Sequence, residues 1–307
     1  MATEENKALL RRFIELWNTG KVETADEFVS ADLIDHSLPP GLPSGLLGFK
    51  LLVGGFRAAF PDLHISIDHL MAQGDKAAAR VTFRGTQQGE FQGIPATGKS
   101  FSMGAIGILR FKDGEVVEHW AVLDLLGLLT QLGVAPAQHN LPYSSLWPVE
   151  GDRVNGKRTA DSSTNLATVQ RFFDEVCNAR RLEVANELYD AHHRYYDPSI
   201  PGVADGPAGI QQPGGPVVPY QTAFSDAHWH VEEMLVEGDM VVTRWYGTGT
   251  QDGDLPGIPP AGKQVNVPGI WYQRLADGKI VESWQVWDTL RMLQQLGVIP
   301  VPEGVTA

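Results

Sequence analysis

Two stretches of the chain carry the pattern that decides its fold. Residues 110–133 read RFKDGEVVEHWAVLDLLGLLTQLG, and residues 274–297 read RLADGKIVESWQVWDTLRMLQQLG. In each, an Asp-Gly pair stands between two apolar runs, which is typical of a tight β-hairpin. An alternating run then leads to an aspartate and to an apolar segment with helical spacing. Each stretch therefore predicts a strand, a hairpin turn, a second strand and a helix.

The similarity of these stretches extends over most of the chain. At an offset of 164 residues the two halves match without a gap from about residue 59 to 134; upstream the offset becomes 160, where Trp17-Asn18 meets Cys177-Asn178. A repeat on this scale indicates one structural plan used twice. We predict two copies of one domain, residues 1–137 and 164–307. They are joined by a linker, residues 138–163, that is rich in Pro, Ser, Gly and charge.

Each copy is predicted to have helices in its first half and strands in its second. In the first copy, apolar spacing predicts helices at the start, near 22–29 and at about 48–60, then strands from about 63, at 76–86, 99–111 and 116–123. In the second copy, prolines replace the third helix, so we expect a loop with at most one helical turn near 219–224. This is an α+β plan, and a curved sheet wrapped over helices makes a cone with an internal pocket.

The composition narrows the class of partner. The formal net charge is −13 at pH 7, and Lys and Arg do not cluster, so neither a nucleic acid nor an anionic membrane is expected as a partner. Apolar runs are shorter than a membrane span and the acidic N-terminus does not resemble a signal peptide, which predicts a cytoplasmic protein. The single cysteine, Cys177, falls in a helical apolar pattern and is expected to be a buried, inert thiol.

Three motifs indicate the kind of domain. They are Gly-Ile-Pro-x-x-Gly-Lys at 93–99 and 257–263, Arg-Phe-x-Asp-Gly-x-Val-x-x-x-Trp-x-x-x-Asp in the first copy, and Gln-Leu-Gly in both. Together they resemble the SnoaL-like polyketide cyclases, or ester cyclases, of the NTF2-like superfamily. The resemblance implies two tandem NTF2-like cone domains, each with N-terminal helices packed on a curved, mainly antiparallel sheet.

The same resemblance implies a class of chemistry. We expect acid/base catalysis without a cofactor or a metal, on a small hydrophobic, carbonyl-rich substrate, for example in an intramolecular aldol closure. Because such domains commonly pair through their sheets, we also expect an intrachain pseudo-dimer, and a homo-oligomer is left open.

Asp124 and Asp288 are the candidate catalytic residues that both copies retain. A strand period of two places Glu118, Trp120, Val122 and Asp124 on one face, and the resemblance implies that the family's acid/base carboxylate falls at Asp124. Desolvation at the end of an apolar row raises a carboxylate's pKa toward neutrality, as acid/base catalysis requires. The alternative is a helix N-cap, worth about 1 kcal/mol, where the helix dipole lowers the pKa instead. The sequence leaves both readings open.

Histidines are the other candidates for proton transfer. His36 resembles the family's early pocket histidine and is predicted to be catalytic in the first copy, whereas Tyr196 stands near that place in the second. His119 adjoins Trp120 and is therefore expected on the strand face opposite Asp124.

Further residues are predicted to contact the substrate. Gln87 and Gln251 stand where the family often has a histidine, and an amide binds a carbonyl but transfers no proton. Arg80 and Arg244 coincide, and each either stabilises an enolate or forms a structural ion pair. The aromatic residues enriched in the second copy form either its core or the wall of a pocket for a planar ligand. The predicted substrate-binding residues are Trp120, Gln87, His119 and Arg80 in the first copy, and Trp284, Tyr246, Trp245, Trp271, Arg244 and Tyr196 in the second.

The sequence leaves three functions open. The first is a cyclase or isomerase, or a related hydrolase or dehydratase, that acts on a hydrophobic metabolite such as a polyketide. The second is a protein whose pockets bind such a metabolite without turnover. The third has one catalytic copy and one structural copy, because the copies share scaffold motifs and differ at pocket positions. The sequence shows no Gly-x-Ser-x-Gly elbow, phosphate loop or metal-ligand spacing, so these chemistries are not expected.

Overall fold

Residues 2–135, 141, 143–148 and 161–300 are described by the structure, a computed structural model. They form two compact units that divide near residue 140, here called unit 1 and unit 2. Each unit contains one five-stranded sheet with helices packed on it, which confirms the α+β plan predicted for the two copies. Most of the predicted linker lies outside the described residues.

Unit 1 has its helices mainly before its meander. The helices are α1 (Ala2–Thr19), α2 (Gly45–Ala59) and α3 (Leu125–Leu132), with a 3₁₀ segment at Val22–Glu27. The strands are β1 (Val29–Asp35), β2 (His64–Gln73), β3 (Lys76–Thr86), β4 (Ser100–Lys112) and β5 (Glu115–Leu123). The sheet order is β1-β5-β4-β3-β2, with β1 parallel to β5 and the other neighbours antiparallel. The earliest strand is thereby placed beside the last one.

Aromatic side chains from the helices and the sheet form much of the core of unit 1. Phe13 of α1 stacks on Phe49 of α2 with ring centroids 4.5 Å apart. One turn further along α1, Trp17 makes edge contacts with Phe49, Phe56 and Phe83. The helical spacing of Phe13 and Trp17 places both rings on the side of α1 that faces the sheet.

Unit 2 repeats this order with shorter helices. After a short helix α4 (Tyr143–Leu146), its helices are α5 (Ser162–Arg171), α6 (Ala185–Leu188), α7 (Pro207–Gln211), α8 (Val218–Ala223) and α9 (Thr289–Leu296), with a π-helical segment at Phe172–Asn178 and a 3₁₀ turn at Leu182–Val184. Its strands are β6 (Tyr189–Tyr196), β7 (His228–Glu237), β8 (Met240–Thr250), β9 (Gln264–Ala276) and β10 (Lys279–Trp287). The sheet order is β6-β10-β9-β8-β7, and β6 is parallel to β10.

The hairpin turn predicted in both units is confirmed. Asp113 and Gly114 have φ of +54° and +84°, and Asp277 and Gly278 have φ of +50° and +75°. Two successive left-handed residues form the turn type whose twist matches that of the flanking strands, and Asp-Gly is a favoured pair for it.

Two short helices replace α2 in unit 2. Helix α8 confirms the helical turn predicted near 219–224, but the loop predicted for the rest of this stretch is wrong at α7. Pro207 is the first residue of α7, where its missing N–H removes no helical hydrogen bond. Gly206, with φ of +72°, leads the chain into that helix. The prolines of this stretch predicted a loop, but one of them is the first residue of a helix.

Three other observations concern single features. The Cys177 thiol is buried, and burial together with the nearby Asp174 raises its pKa well above the usual value, which confirms an inert thiol. Leu146 and Trp147, which fall within the predicted linker, are buried. Within the described ranges, no helix has both the length and the apolar character needed to cross a membrane.

Candidate active site

Unit 1 has a cavity between its helices and the inner face of its sheet. The apolar lining includes Leu10, Phe13, Ile14 and Trp17 of α1 and Ala79, Val81, Ala105, Leu109 and Ala121 of the strands. The polar side chains that line it are His119, Ser37 and Gln92. A largely apolar cavity suits a hydrophobic small molecule held by a few polar groups.

The face of β5 that lines this cavity is the one opposite the predicted face. His119, Ala121 and Leu123 line it, whereas Trp120 and Asp124 are not among the lining residues. The alternation itself was predicted correctly, because a strand turns successive side chains to opposite faces. Which face is covered depends on how α1 packs on the sheet, and the sequence of β5 does not contain that information.

His36 and Trp120 lie together on the other face of the sheet. Their rings stack with centroids 5.0 Å apart and planes 3° apart. His36 Nε2 lies 2.9 Å from Glu118 Oε1, and Arg110 Nε donates to Glu118 Oε2 at 2.7 Å. The structure thus places His36, predicted to be catalytic, and Trp120, predicted to bind substrate, in an ion-paired cluster outside the cavity.

The cavity residue with acid/base capacity is His119, which is paired with a buried carboxylate. His119 Nδ1 lies 3.0 Å from Asp35 Oδ2, and the Asp35 side chain is 0% exposed. Ser37 donates to Asp35 Oδ1 from its backbone N–H at 2.9 Å and from its hydroxyl at 2.6 Å. Burial acts to raise the pKa of Asp35, but the charge and contact of His119 and the hydrogen bonds from Ser37 lower it below its usual value. Asp35 is therefore ionised at neutral pH.

The ionised Asp35 sets the orientation of the imidazole. A carboxylate beside Nδ1 favours the proton on that nitrogen and leaves Nε2 as the basic atom. Gly107, which also lines the cavity, lies next to it, since a Cβ on Gly107 would be 3.7 Å from His119 Nε2. The missing side chain keeps the space around the basic nitrogen open to a ligand.

Ser37 is not placed to act as a nucleophile. Its hydroxyl lies 3.5 Å from His119 Nδ1, the same nitrogen that faces Asp35. A serine nucleophile needs a base whose carboxylate partner is on the other ring nitrogen. Of the two ring nitrogens of His119, Nε2 is therefore the one that faces neither Asp35 nor Ser37.

Asp124 and Asp288 both have the geometry of helix caps. Asp124 Oδ1 accepts from the backbone N–H of Gly127 at 2.9 Å, and Asp288 Oδ1 accepts from that of Arg291 at 2.9 Å. Burial raises the pKa of Asp288, although the Arg291 amide and charge oppose this. Neither carboxylate is among the residues that line the cavity of its unit. Of the two roles left open for these aspartates, the structure shows the helix cap. Their catalytic role stays a prediction.

Gln87 and Gln251, predicted as possible carbonyl ligands, hold the Gly-Ile-Pro loop instead. Gln87 Nε2 donates to the carbonyl oxygens of Gly89, Ile94 and Pro95, and its Oε1 accepts from Thr97. Gln251 does the same in unit 2 with Ile258, Pro259 and Ala261. Both glutamines are fully buried and neither lines a cavity, because the loop they close uses all of their amide groups.

The two matched arginines form ion pairs. Arg80 Nη1 lies 3.6 Å from Asp68 Oδ2, with both side chains buried, and Arg244 Nη1 lies 3.5 Å from Glu232 Oε2. Of the two roles left open for them, the structure shows the ion pair, and neither arginine lines a cavity.

Unit 2 has a smaller cavity with aromatic walls. Among the aromatic residues predicted to bind substrate, Trp245 lines it. Tyr196 and Trp284 stack on each other at 5.4 Å, as His36 and Trp120 do in unit 1, and Tyr246 stacks on His230 at 4.4 Å. Trp271 is buried against Phe172, with ring centroids 4.5 Å apart. These four residues do not line the cavity.

Tryptophans fill the part of unit 2 that corresponds to the His119 site. In the sheet register, Ser283 pairs with Tyr195 as His119 pairs with Asp35, so unit 2 has neither partner of the pair. The position of Gly107 is taken by Trp271. The hydroxyl of Ser283 is bonded to the buried His193 at 2.9 Å, and burial lowers the pKa of His193 to about 3. That imidazole stays neutral at physiological pH.

Asp35, Ser37 and Gly107 were not predicted from the sequence. The signal for the first two is the run Asp35-His36-Ser37, because an aspartate followed two residues later by serine forms a local turn that fixes the carboxylate. For Gly107, the signal is that the matching position of the second copy holds Trp271. Within the described part of the chain, no cluster of three or more His, Cys, Asp or Glu side chains is arranged to hold a metal ion.

Known proteins match the chain in the same two segments. The family model for the SnoaL-like polyketide cyclase matches residues 7–132 and again 167–296. Aklanonic acid methyl ester cyclase DnrD of Streptomyces peucetius is 30% identical over 128 residues, which are 41% of this chain and 88% of that protein. Nogalonic acid methyl ester cyclase of Streptomyces nogalater is 29% identical over 122 residues, which are 39% of this chain and 91% of that protein. The solved structure of TsrD from Streptomyces laurentii is 34% identical, over 43% of this chain and 96% of that one, with a TM-score of 0.40.

Proposed function

The chain belongs to the SnoaL-like polyketide cyclase family in both of its units, and on that premise we propose that it is a cyclase whose active site is the cavity of unit 1. In this proposal His119 is the general acid/base and Asp35 holds it in place. The substrate is a hydrophobic, carbonyl-rich metabolite of the polyketide type. The observation that carries the proposal is the contact of 3.0 Å between a cavity-lining imidazole and a fully buried carboxylate.

The reaction moves one proton and forms one carbon–carbon bond. His119 Nε2 removes a proton from a carbon that lies between two carbonyl groups of the substrate. The resulting enolate carbon attacks another carbonyl carbon of the same molecule, and the C=O π electrons move to oxygen as the ring closes. The new alkoxide then takes the proton from Nε2. The product is an isomer of the substrate, so the reaction consumes neither water nor an oxidant.

The contacts of His119 limit the substrate class. Imidazole is a weak base, so it removes protons only from carbons that adjacent carbonyls make acidic. The largely apolar wall of the cavity has few groups that could stabilise an enolate. The charge of the enolate must therefore spread over the substrate's own conjugated carbonyls. The ionised Asp35 offsets the charge of the imidazolium during the reaction. These requirements fit the methyl esters after which the relatives DnrD and nogalonic acid methyl ester cyclase are named.

Turnover of aklanonic acid methyl ester and of nogalonic acid methyl ester tests the proposal. We expect His119→Gln to lower kcat by about 10²–10⁴-fold, the usual contribution of a general acid/base. Asp35→Asn keeps the shape of its side chain but loses the charge, and we expect a smaller loss in kcat. The change Ser283→Ala at the equivalent position of unit 2 is the matched control and should leave kcat unchanged.

Two further variants separate the alternatives. His36→Gln and Asp124→Asn alter the two predicted catalytic residues that lie outside the cavity, and we expect both to retain turnover. If turnover survives His119→Gln and disappears in Asp124→Asn, the carboxylate is the catalytic group and the proposal for His119 is wrong.

A further inference from the structure

Two histidines lie side by side on β7, a strand at the edge of the sheet of unit 2. His228 and His230 have one residue between them, and a strand turns side chains at that spacing to the same face. Their rings meet edge to face with centroids 4.4 Å apart. We propose that this pair binds a divalent transition-metal ion of the Zn²⁺ or Cu²⁺ type. The inference goes beyond the reaction proposed for unit 1 and does not depend on it.

The distance between the two rings fits one shared ion. An imidazole nitrogen lies about 2.0–2.1 Å from Zn²⁺, so two imidazoles on one tetrahedral ion have centroids about 5 Å apart. The observed 4.4 Å is close to this value, and His228 is exposed, so its ring has room for the small rotation that remains. Because both ligands come from one strand, an ion held by the first meets the second at a high effective concentration.

The ring of His230 is held by the neighbouring strand β8. Tyr246 stacks on it with centroids 4.4 Å apart and planes 11° apart. His230 Nε2 lies 3.0 Å from Thr248 Oγ1, which leaves Nδ1 as the nitrogen that can bind a metal. A metal-bound imidazole commonly donates its other N–H to a nearby oxygen, which orients the ring and strengthens the ligand. Thr248 is placed to accept that hydrogen bond.

Unit 1 has the same strand pair without these features. At the positions of the two histidines it has His64 and Ser66, and at the position of Thr248 it has Arg84. Arg84 Nη1 donates to Ser66 Oγ at 3.3 Å. A guanidinium group therefore lies where unit 2 has its second histidine, and its charge would repel a metal ion. Unit 2 differs at this one place both by a gained ligand and by a lost cation.

The ligand set indicates the class of metal. Imidazole suits Zn²⁺, Cu²⁺ and Ni²⁺, whereas Mg²⁺ prefers oxygen ligands. Within the described residues the pair has no third His, Cys, Asp or Glu arranged to complete a site, so water supplies the remaining ligands. Further along the same face, the charge of Arg244 is offset by Glu232, 3.5 Å away. His228 and Thr248 also line the cavity of unit 2, so a bound ion would lie beside that cavity.

Titration calorimetry of the full-length protein, without a histidine tag, tests the proposal. Zn²⁺, Cu²⁺ and Mg²⁺ are added separately in a buffer that does not bind metals. We expect the wild type to bind Cu²⁺ more tightly than Zn²⁺ and not to bind Mg²⁺. Loss of an outer partner of a metal ligand usually lowers affinity by about 10- to 100-fold. We therefore expect Thr248→Val to weaken Zn²⁺ binding about tenfold, and His228→Gln and His230→Gln to weaken it about 100-fold each. His64→Gln in unit 1 is the matched control and should leave the affinity unchanged.

Exchanging residues between the units provides a second test. Thr248→Arg gives unit 2 the cation of unit 1 and should abolish Zn²⁺ binding. The double change Ser66→His with Arg84→Thr gives unit 1 the pair found in unit 2, and should add one bound Zn²⁺ per chain. Circular dichroism checks that each variant is folded.

A spectroscopic measurement identifies the ligands directly. In the electron paramagnetic resonance spectrum of the Cu²⁺ complex, we expect ¹⁴N couplings from two imidazoles in the wild type and from one in His228→Gln or His230→Gln. Absence of Zn²⁺ and Cu²⁺ binding by the wild type, an unchanged affinity in both histidine variants, or an equal loss in His64→Gln overturns the proposal. None of these measurements involves turnover, so they stand apart from the test of the cyclase.

Discussion

Unit 1 has a glycine where unit 2 has a tryptophan, and the strand register makes the two positions directly comparable. Gly107 pairs across the sheet with Ala121, and Trp271 pairs with Gln285. A second exchange lies on the next strand pair. Here Val81 faces Ala105 in unit 1, whereas Trp245 faces Gly269 in unit 2. In the second exchange the larger residue is balanced by a smaller partner, because the Trp245 ring lies over the bare Gly269.

The comparison shows which parts of the fold are free to change. Sheet order, hairpin turn, helix cap and the buried glutamine of the Gly-Ile-Pro loop are the same in both units, and all of them lie outside the cavities. The inner strand faces differ in volume and in polarity. Backbone features thus depend on one group of residues and the polarity of the cavity on another, so one unit can lack the His–Asp pair and still keep the fold.

The largest expected effect comes from giving unit 1 the residue of unit 2. In Gly107→Trp the indole would cover His119 Nε2, and we expect turnover to fall by about 10²–10⁴-fold, as when the base itself is lost. Gly107→Ala is the graded control. Its Cβ would lie 3.7 Å from Nε2, so a partial loss is expected. Full turnover in Gly107→Trp would show that the substrate does not approach this nitrogen.

The reverse change tests the role of the tryptophan in unit 2. Trp271 is buried and stacked on Phe172, so we expect Trp271→Ala to lower the free energy of unfolding by about 3–5 kcal/mol. Gly107→Ala, the same residue at the equivalent place, should cost much less because it enters an open cavity. Chemical denaturation followed by tryptophan fluorescence measures both variants. Equal losses would mean that the two positions are not equivalent in packing.

The units should also differ in their response to acid. The folded pKa of His193 is about 3, against a usual value of 6.5, mainly because of burial, which Asp190 only partly opposes. Between these values the unfolded chain binds a proton that the folded unit does not, so stability falls as the pH drops below 6.5. The loss at pH 5 is about 2 kcal/mol. The pKa of Asp35 in the folded protein lies below 3.8, so the stability that its ionised form contributes is lost only below that pH. As the pH falls, unit 2 is therefore expected to unfold before unit 1.

Hydrogen exchange at pH 7.5 and pH 5.0 measures this difference. We expect protection to fall more in peptides that span β6 than in those that span β1. His193→Leu, which introduces the residue found at Leu33 of unit 1, should remove much of the difference. The raised pKa of Asp288 acts in the opposite direction, and comparison with the His193 variant isolates the histidine.

The smallest expected effects are those of the two caps. Asp124→Ala and Asp288→Ala each lose the bond to a backbone amide and should each lower the free energy of unfolding by about 1 kcal/mol. Turnover should not change in either. Thermal denaturation and a steady-state assay on the same samples check both statements, and a large loss of kcat in Asp124→Ala would support the catalytic role first predicted for it.

The sequence was sufficient to predict the features that depend on backbone chemistry. The repeat, the α+β plan and the Asp-Gly hairpins follow from residues whose preferences are local, whereas the aspartate caps were one of two roles that the sequence left open. The site was harder to predict. The strand pattern indicates that His119 and Asp124 lie on opposite faces of β5, but it does not indicate which of the two faces the helices cover. Gln87 and His36 were assigned to the pocket by resemblance to the family, yet the partners of Gln87 come from the Gly-Ile-Pro loop and those of His36 from β5. The predicted pairing of the units as a pseudo-dimer stays a prediction.

The parallel pairing of β1 with β5 has a consequence for folding. Asp35 belongs to the first strand of unit 1 and His119 to the last, so their contact closes a loop that contains most of the unit. Until β5 is in place, Asp35 would be buried as a charged carboxylate without its partner His119, which is unfavourable. We therefore expect β1 to dock late, together with β5, after the β2–β3–β4 meander has formed from contacts closer in sequence. Catalytic activity would then appear only when the last strand is in register, and its recovery during refolding would report completion of the fold.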